Sequence, residues 1–240
     1  MRRLVAAREH LDGELSDESV LDGNLRDLAR VNRRFGGTAL SIRAVRSLVE
    51  ATTEAGSAPD PLRALDVGTG AADIPLALVR EPGPWRSVQV TAVDSRAEVI
   101  EAARRVNAAL ATRDDVVLSI ADGRALPFED RAFHVAHASL VLHHLAEADA
   151  VAFLGELARV ASAGIVINDL QRGALNWLGA WLVLHAMTRN RFTLHDGPLS
   201  VRRAWTSAEV EGLLRGAGLR PIAWAGGFAG HRWAVAAVRR

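Results

Sequence analysis

The chain opens with polar spacing and then turns helical. Glu9, Glu14, Asp17 and Glu18 make the first stretch acidic, after which Leu21, Leu25, Leu28 and Val31 recur three or four residues apart. That recurrence is the stripe of one helix face. Gly36-Gly37 interrupts it, and Ala39 to Ala51 resumes it with Ile42, Val45 and Leu48. Residues 5–55 therefore read as helical. The run from Gly56 to Pro61 is a loop by its Gly, Ser and Pro content. It predicts an N-terminal helical cap over 1–58 and a main domain over 59–240.

From residue 63 onward, short apolar runs alternate with helical patterns. Strands are predicted at Arg63–Val67, Ser87–Val93, Val116–Ile120, Ala132–Ser139 and Gly164–Ile167. Helices are predicted at Ile74–Arg80, Ala97–Leu110 and Glu147–Val160. This rhythm is that of a doubly wound α/β sheet with right-handed crossovers. An insertion at about 170–205 follows. Its first part, Ala174 to Met187, reads as a helix apolar on more than one face, and 190–205 reads as irregular. Ser207–Gly216 is a capped helix. Leu219–Trp224 and Trp233–Val238 read as two strands joined by the turn-rich Gly226 to Gly230.

Composition narrows the function classes. The chain has 240 residues, 49% of them apolar, and a formal net charge of +1. That suffices for a layered core, and no basic tract marks a nucleic-acid surface. Cysteine is absent, which removes disulfide scaffolds, thiolate metal sites and Cys nucleophiles together. No metal site is expected. Met1-Arg2-Arg3 precedes no apolar segment of signal type, and no stretch suits stable membrane insertion, so a cytoplasmic protein is expected. The sequence does not decide between monomer and homodimer.

The strongest chemical signal is Leu65-Asp-Val-Gly-Thr-Gly-Ala-Ala-Asp73. A buried strand runs into a glycine turn and then a helix, so Gly68, Thr69 and Gly70 form a bare backbone cradle. Asp66 stands two residues before the first glycine and can face a ligand ammonium group. Asp94, ahead of Ser95, ends the second strand, where an acid receives ribose hydroxyls. Asp122, between Ala121 and Gly123, ends the third and can accept from an adenine amine. Ser139 ends the fourth. A dinucleotide fold is the rival reading, but its fingerprint wants a glycine where Asp73 stands.

Together, Leu65 to Gly70, Asp94, Ala121-Asp-Gly with Leu126-Pro-Phe128, and Ser139-Leu-Val-Leu-His-His144 resemble class I S-adenosylmethionine (SAM)-dependent methyltransferases. Within that class they are most similar to the ubiquinone/menaquinone-biosynthesis (type 11) group. The resemblance spans about 60–240. It implies a Rossmann-like seven-stranded sheet, mostly parallel with the last strand antiparallel, and SAM as cofactor. The family often has a third glycine where Ala72 stands. Asn24 to Gly37, Ile167 to Arg172 and His195-Asp-Gly197 resemble, more loosely, methyltransferases associated with polyketide synthases.

The expected reaction is methyl transfer to oxygen or carbon of a small, lipophilic, phenol-, quinone- or polyketide-like acceptor. His195 and then His143 are the candidate bases, since imidazole titrates near neutrality. Shaping the pocket is the other role open to the His143-His144 pair. His144, Asn168, Arg172, Trp177 and Trp181 are candidate acceptor contacts, with Asn168 and Arg172 alternatively capping the next helix. Rival functions are an RNA or protein methyltransferase, a SAM-binding protein without turnover, and a SAM-fold enzyme of other chemistry. The Asn-Pro-Pro motif of amino-group methylases is missing after the fourth strand, where Ser139-Leu-Val-Leu142 stands.

Overall fold

The structure is a computed structural model that describes residues 1–53 and 57–240. The expected helix end at 54–55 and loop start at Gly56 lie outside the described residues. Among these residues, seven strands form one sheet in the order β3-β2-β1-β4-β5-β7-β6. β1 (Leu62–Val67), β2 (Val88–Asp94), β3 (Val116–Ile120), β4 (Phe133–Ser139) and β5 (Ala161–Leu170) are parallel. β6 (Leu219–Gly226) and β7 (Arg232–Arg239) pair antiparallel, and β7 inserts antiparallel between β5 and β6. The strand order reverses between β1 and β4, the switch point at which open α/β sheets bind ligands.

Alternation along β1 splits the core in two. Leu65 and Val67 pack with Phe153, Leu154 and Leu157 of α5 (Glu147–Val160) and with α8 (Ser207–Gly216). Leu62 and Ala64 face Leu40, Val45 and Leu48 of α2 (Gly37–Thr52), alongside α3 (Asp73–Leu78). A strand covered on both sides must be apolar on both, hence its near-continuous run.

The N-terminal region divides differently from the expected cap. α2 belongs to the sheet's own core. α1 (Glu18–Arg34) rests its Leu21 and Leu25 on Val99 and Ala102 of α4 (Ala97–Val106) and on Phe192 of α7 (Arg191–Arg203). Before α1 the expected helix is absent apart from one 3-10 turn, His10–Asp12. Tertiary partners replace helical bonds there. The N–H groups of His10 and Leu11 donate to the Asp196 carboxylate at 2.7 and 3.0 Å, and Arg3 donates to the carbonyls of Arg203, His143 and Leu145.

Residues 191–203 are the other departure. They form α7, not an irregular segment. Gly197 and Pro198 disguise the pattern, while Asn190 supplies the cap, accepting from Phe192 N and Thr193 N. α6 (Ala174–Met187) is less enclosed than its composition suggests. Leu184 is its one buried residue, and Leu178, Trp181 and Leu182 are exposed. No helix among the described residues is long and apolar enough to cross a membrane.

Candidate active site

At the carboxyl ends of β1, β2 and β4 lies a cavity of about 360 Å³. Asp66, Gly68, Thr69, Gly70, Asp94, Ser95, Ala121, Asp122, Gly123 and Ser139 all line it, so every residue expected at a cofactor site meets there. α1 adds Leu25, Leu28 and Asn32, and the N-terminal segment adds Leu11 and Asp12.

The glycines are needed for more than ligand approach. Gly68 has φ +71, and a Cβ there would stand 2.3 Å from Val141 Cγ2. At Gly123 a Cβ would stand 2.7 Å from both Phe153 and Val67. Ala72, where the resembled family often has a third glycine, is also left-handed, at φ 54.

The carboxylates differ in their freedom. Asp94 accepts from the N–H groups of Gly70 (3.3 Å) and Arg96 (3.2 Å), and burial pushes its pKa up. Asp66 is held by His137, whose Nδ1 lies 2.5 Å away and whose Nε2 lies 2.8 Å from Ser41 Oγ. Strand register sets this up, because Asp66 and His137 are partners across β1 and β4. Asp122 is tied to Arg124, Oδ2 accepting from Nη2 at 2.9 Å. Two buried hydroxyls in the wall, Thr69 Oγ1 and Ser139 Oγ, have no hydrogen-bond partner among the described residues. Buried orphans beside a bare turn are what a polar adenosyl ligand would satisfy.

A second cavity, about 470 Å³ and mostly apolar, adjoins the first. The two share Leu11, Leu28, Leu140 and His144. α6 contributes Leu175, Asn176, Gly179, Ala180, Val183 and Leu184, a single helix face. Trp177 and Trp181 lie on other faces of α6, so the aromatic wall expected from them is absent.

Residues 64–164 match a family model described as a methyltransferase domain. A SAM-dependent methyltransferase from Aquifex aeolicus has the same fold. It is 21% identical, with 90% of this chain and 97% of that one covered, at a TM-score of 0.61. Residues 64–164 of this chain therefore carry a methyltransferase domain. The O-methyltransferase NcsB1 of neocarzinostatin biosynthesis, whose structure holds S-adenosylhomocysteine and 1,4-dihydroxy-2-naphthoic acid, is 16% identical. That likeness has a TM-score of 0.59 and covers 94% of this chain and 60% of that one. The [4+2]-cyclase SpnF is 20% identical over 76% of this chain and 60% of its own, at a TM-score of 0.51. No curated protein sequence matches the chain.

The surroundings of the histidines correct the base assignment. His143 is buried, with Nδ1 2.8 Å from Asp169 Oδ1 and Nε2 3.5 Å from Glu9 Oε1. Burial favours the neutral ring. The Asp169 charge and hydrogen bond, joined by Glu9, outweigh it and push His143 up to about 10. A ring that keeps its proton cannot serve as a base at neutral pH. His195 sits on α7, half-exposed, bonded to Asp196 at 2.7 Å with its ring tilted against that of His10, and lines neither cavity. His144 lines both cavities, its Nδ1 2.9 Å from Asp12 Oδ1.

Glu9, His143 and His144 bring three potential metal-ligand atoms within 4.8 Å of one another. The sequence showed no such group, because Glu9 arrives from a distant segment. Its charge is met by the protein itself, since Arg203 Nη1 stands 3.5 Å from Glu9 and 2.8 Å from Asp12.

Two further expectations move from the acceptor to the scaffold. Asn168 Nδ2 donates to Gly37 O and Ser41 Oγ, both at 2.8 Å, and ties β5 to α2. Arg172 clamps Ala204 O and Glu209, each at 2.7 Å. Residues that sequence reasoning passed over include His137, Ser41, Glu9, Asp12, Asn32 and Arg232. Apart from Asn32, which falls within the Asn24 to Gly37 stretch, none stands in a motif singled out above, and only folding assembles them.

Proposed function

We propose that this chain transfers the SAM methyl group to oxygen or carbon of a small, largely apolar acceptor seated between α1, α6 and α7. One observation carries the reading. A mostly apolar cavity large enough for such a molecule adjoins the cavity at the glycine turn, the two sharing Leu11, Leu28, Leu140 and His144 as wall residues.

When bound, SAM supplies an electrophilic methyl on a sulfonium whose departing thioether is neutral and needs no acid. The Gly68–Gly70 turn, Asp94 and the orphan hydroxyls of Thr69 and Ser139 hold the adenosyl and amino-acid ends. The wall of α6 and Leu28 of α1 orient the acceptor. Such alignment contributes roughly 7–11 kcal/mol to methyl transfer. Residues 8–13, with Leu11 in both walls, act as the lid that keeps water out.

The test is turnover. Purified protein with SAM and a panel of hydroxylated naphthalenes and alkylphenols should release S-adenosylhomocysteine and a methylated product detected by mass spectrometry. No release of S-adenosylhomocysteine with any acceptor, its release with no mass gain in any acceptor, or no S-adenosylhomocysteine binding by calorimetry, contradicts the reading.

A further inference from the structure

The wall of the apolar cavity includes a guanidinium that no carboxylate contacts directly among the described residues. Arg232, at the start of β7, is 3% exposed. Its Nη1 donates to Asn32 Oδ1 at 2.9 Å, and its Nε has no hydrogen-bond partner. Among the described residues no carboxylate reaches within 4 Å of it. Asp169 and Asp73 act on it only through longer-range attraction.

The fold makes room for this guanidinium. A Cβ at Gly37 would stand 1.7 Å from Nη1, so the second glycine of the Gly36-Gly37 pair is a socket for Arg232. Asn32 steadies the group from the other side. Its Nδ2 donates to Asp73 Oδ2 at 3.3 Å while its Oδ1 receives Arg232. Asn32 and Asp73 line the cofactor cavity, so the relay spans both cavities.

A second orphan stands in the same wall. Asn24 is 2% exposed and donates from Nδ2 to Thr193 Oγ1 at 3.1 Å, but its Oδ1 has no partner. A buried guanidinium without its anion and a buried carbonyl without its donor are each costly in an apolar wall. Both costs fall if the ligand supplies the missing groups.

We propose that Arg232 is a specificity-determining residue that binds a carboxylate of the methyl acceptor, with Asn24 accepting a hydrogen bond from an acceptor hydroxyl. This rests on reading the apolar cavity as the acceptor site. The guanidinium fork matches a carboxylate and discriminates it from a neutral ring of equal size. The acceptor class is then a hydroxylated aromatic or polyketide acid, not a neutral quinone.

The experiment compares two probes that differ by one group, 3-hydroxy-2-naphthoate and 2-naphthol. Each is titrated by calorimetry into the full chain loaded with S-adenosylhomocysteine. Wild-type protein should bind the naphthoate roughly tenfold more tightly, as expected for a charge-assisted hydrogen bond. Arg232→Met should erase that preference while still binding S-adenosylhomocysteine, and Arg232→Lys should keep part of it. Equal affinities in wild-type protein overturn the proposal, as does binding of neither probe, or a preference that survives Arg232→Met. Should Arg232→Met fail to fold, the wild-type and Arg232→Lys titrations decide. Loss of S-adenosylhomocysteine binding in wild-type protein sinks the parent reading instead, whereas intact binding without preference sinks only the carboxylate site.

Discussion

Asp169 grips His143 at two points. Its Oδ2 accepts the backbone N–H at 3.0 Å, and its Oδ1 stands 2.8 Å from ring Nδ1. The pair is fully enclosed, so breaking it leaves a charge stranded. Asp169→Ala should cost about 3–5 kcal/mol in urea unfolding. A loss under 1 kcal/mol would mean the ring is neutral.

The same pair sets a pH dependence. His143 titrates at 6.5 when unfolded and is pushed up to about 10 when folded. Its stabilising contribution is complete below pH 6.5 and is lost as pH rises toward 10. The stability difference between wild type and His143→Gln should therefore shrink across that window. Turnover of His143→Gln should fall by less than the about 10²-fold that loss of a general base costs.

Asp94 makes the clearest ligand prediction. Asp94→Ala should weaken S-adenosylhomocysteine binding by about 10²-fold, the effect of two charge-assisted hydrogen bonds. Burial raises its pKa, so wild-type affinity should begin falling at a pH above the ordinary aspartate range. Asp94→Asn should bind weakly and show no such step; a shared step would assign the titration to another group.

Gly68 faces a steric and a conformational demand together. Gly68→Ala should destabilise the fold by about 1–3 kcal/mol, from the Val141 clash and the left-handed backbone. Adding Val141→Ala removes the clash but leaves φ unchanged. The double variant should recover only part of the loss, measured as a coupling energy in thermal unfolding.

The two faces of α6 separate the wall of the apolar cavity from the outer surface. Gly179 lines the apolar cavity, and a Cβ there meets nothing within 4 Å. Gly179→Leu should fill the cavity and abolish acceptor binding while S-adenosylhomocysteine still binds. Trp181→Ala, on the exposed face, should leave both affinities within about twofold, as surface changes usually do.

The parallel sheet and the lining of the cavity at its carboxyl ends were legible because they rest on short-range rules. A buried strand, a glycine turn and a helix are contiguous from Leu65 to Leu78, and acids at strand ends fall in one place once the strands lie parallel. α7 was hidden because Gly197 and Pro198 break its local pattern while Asn190 and tertiary contacts hold it. Residues before 18 read as helix because local spacing carries no record of Asp196, which takes their N–H groups.

The sequence by itself determined the α/β class and placed Asp66, Asp94 and Asp122 at or beside strand ends that share one cavity, since both follow from periodicity and adjacency. Tertiary structure alone decided the rest. It took His143 out of base chemistry by setting it between Glu9 and Asp169, residues 134 and 26 positions away. It turned Gly37 into the socket for Arg232, a contact across almost the whole chain. Charge and steric complementarity act through space, and no spacing along the chain encodes which distant groups will meet.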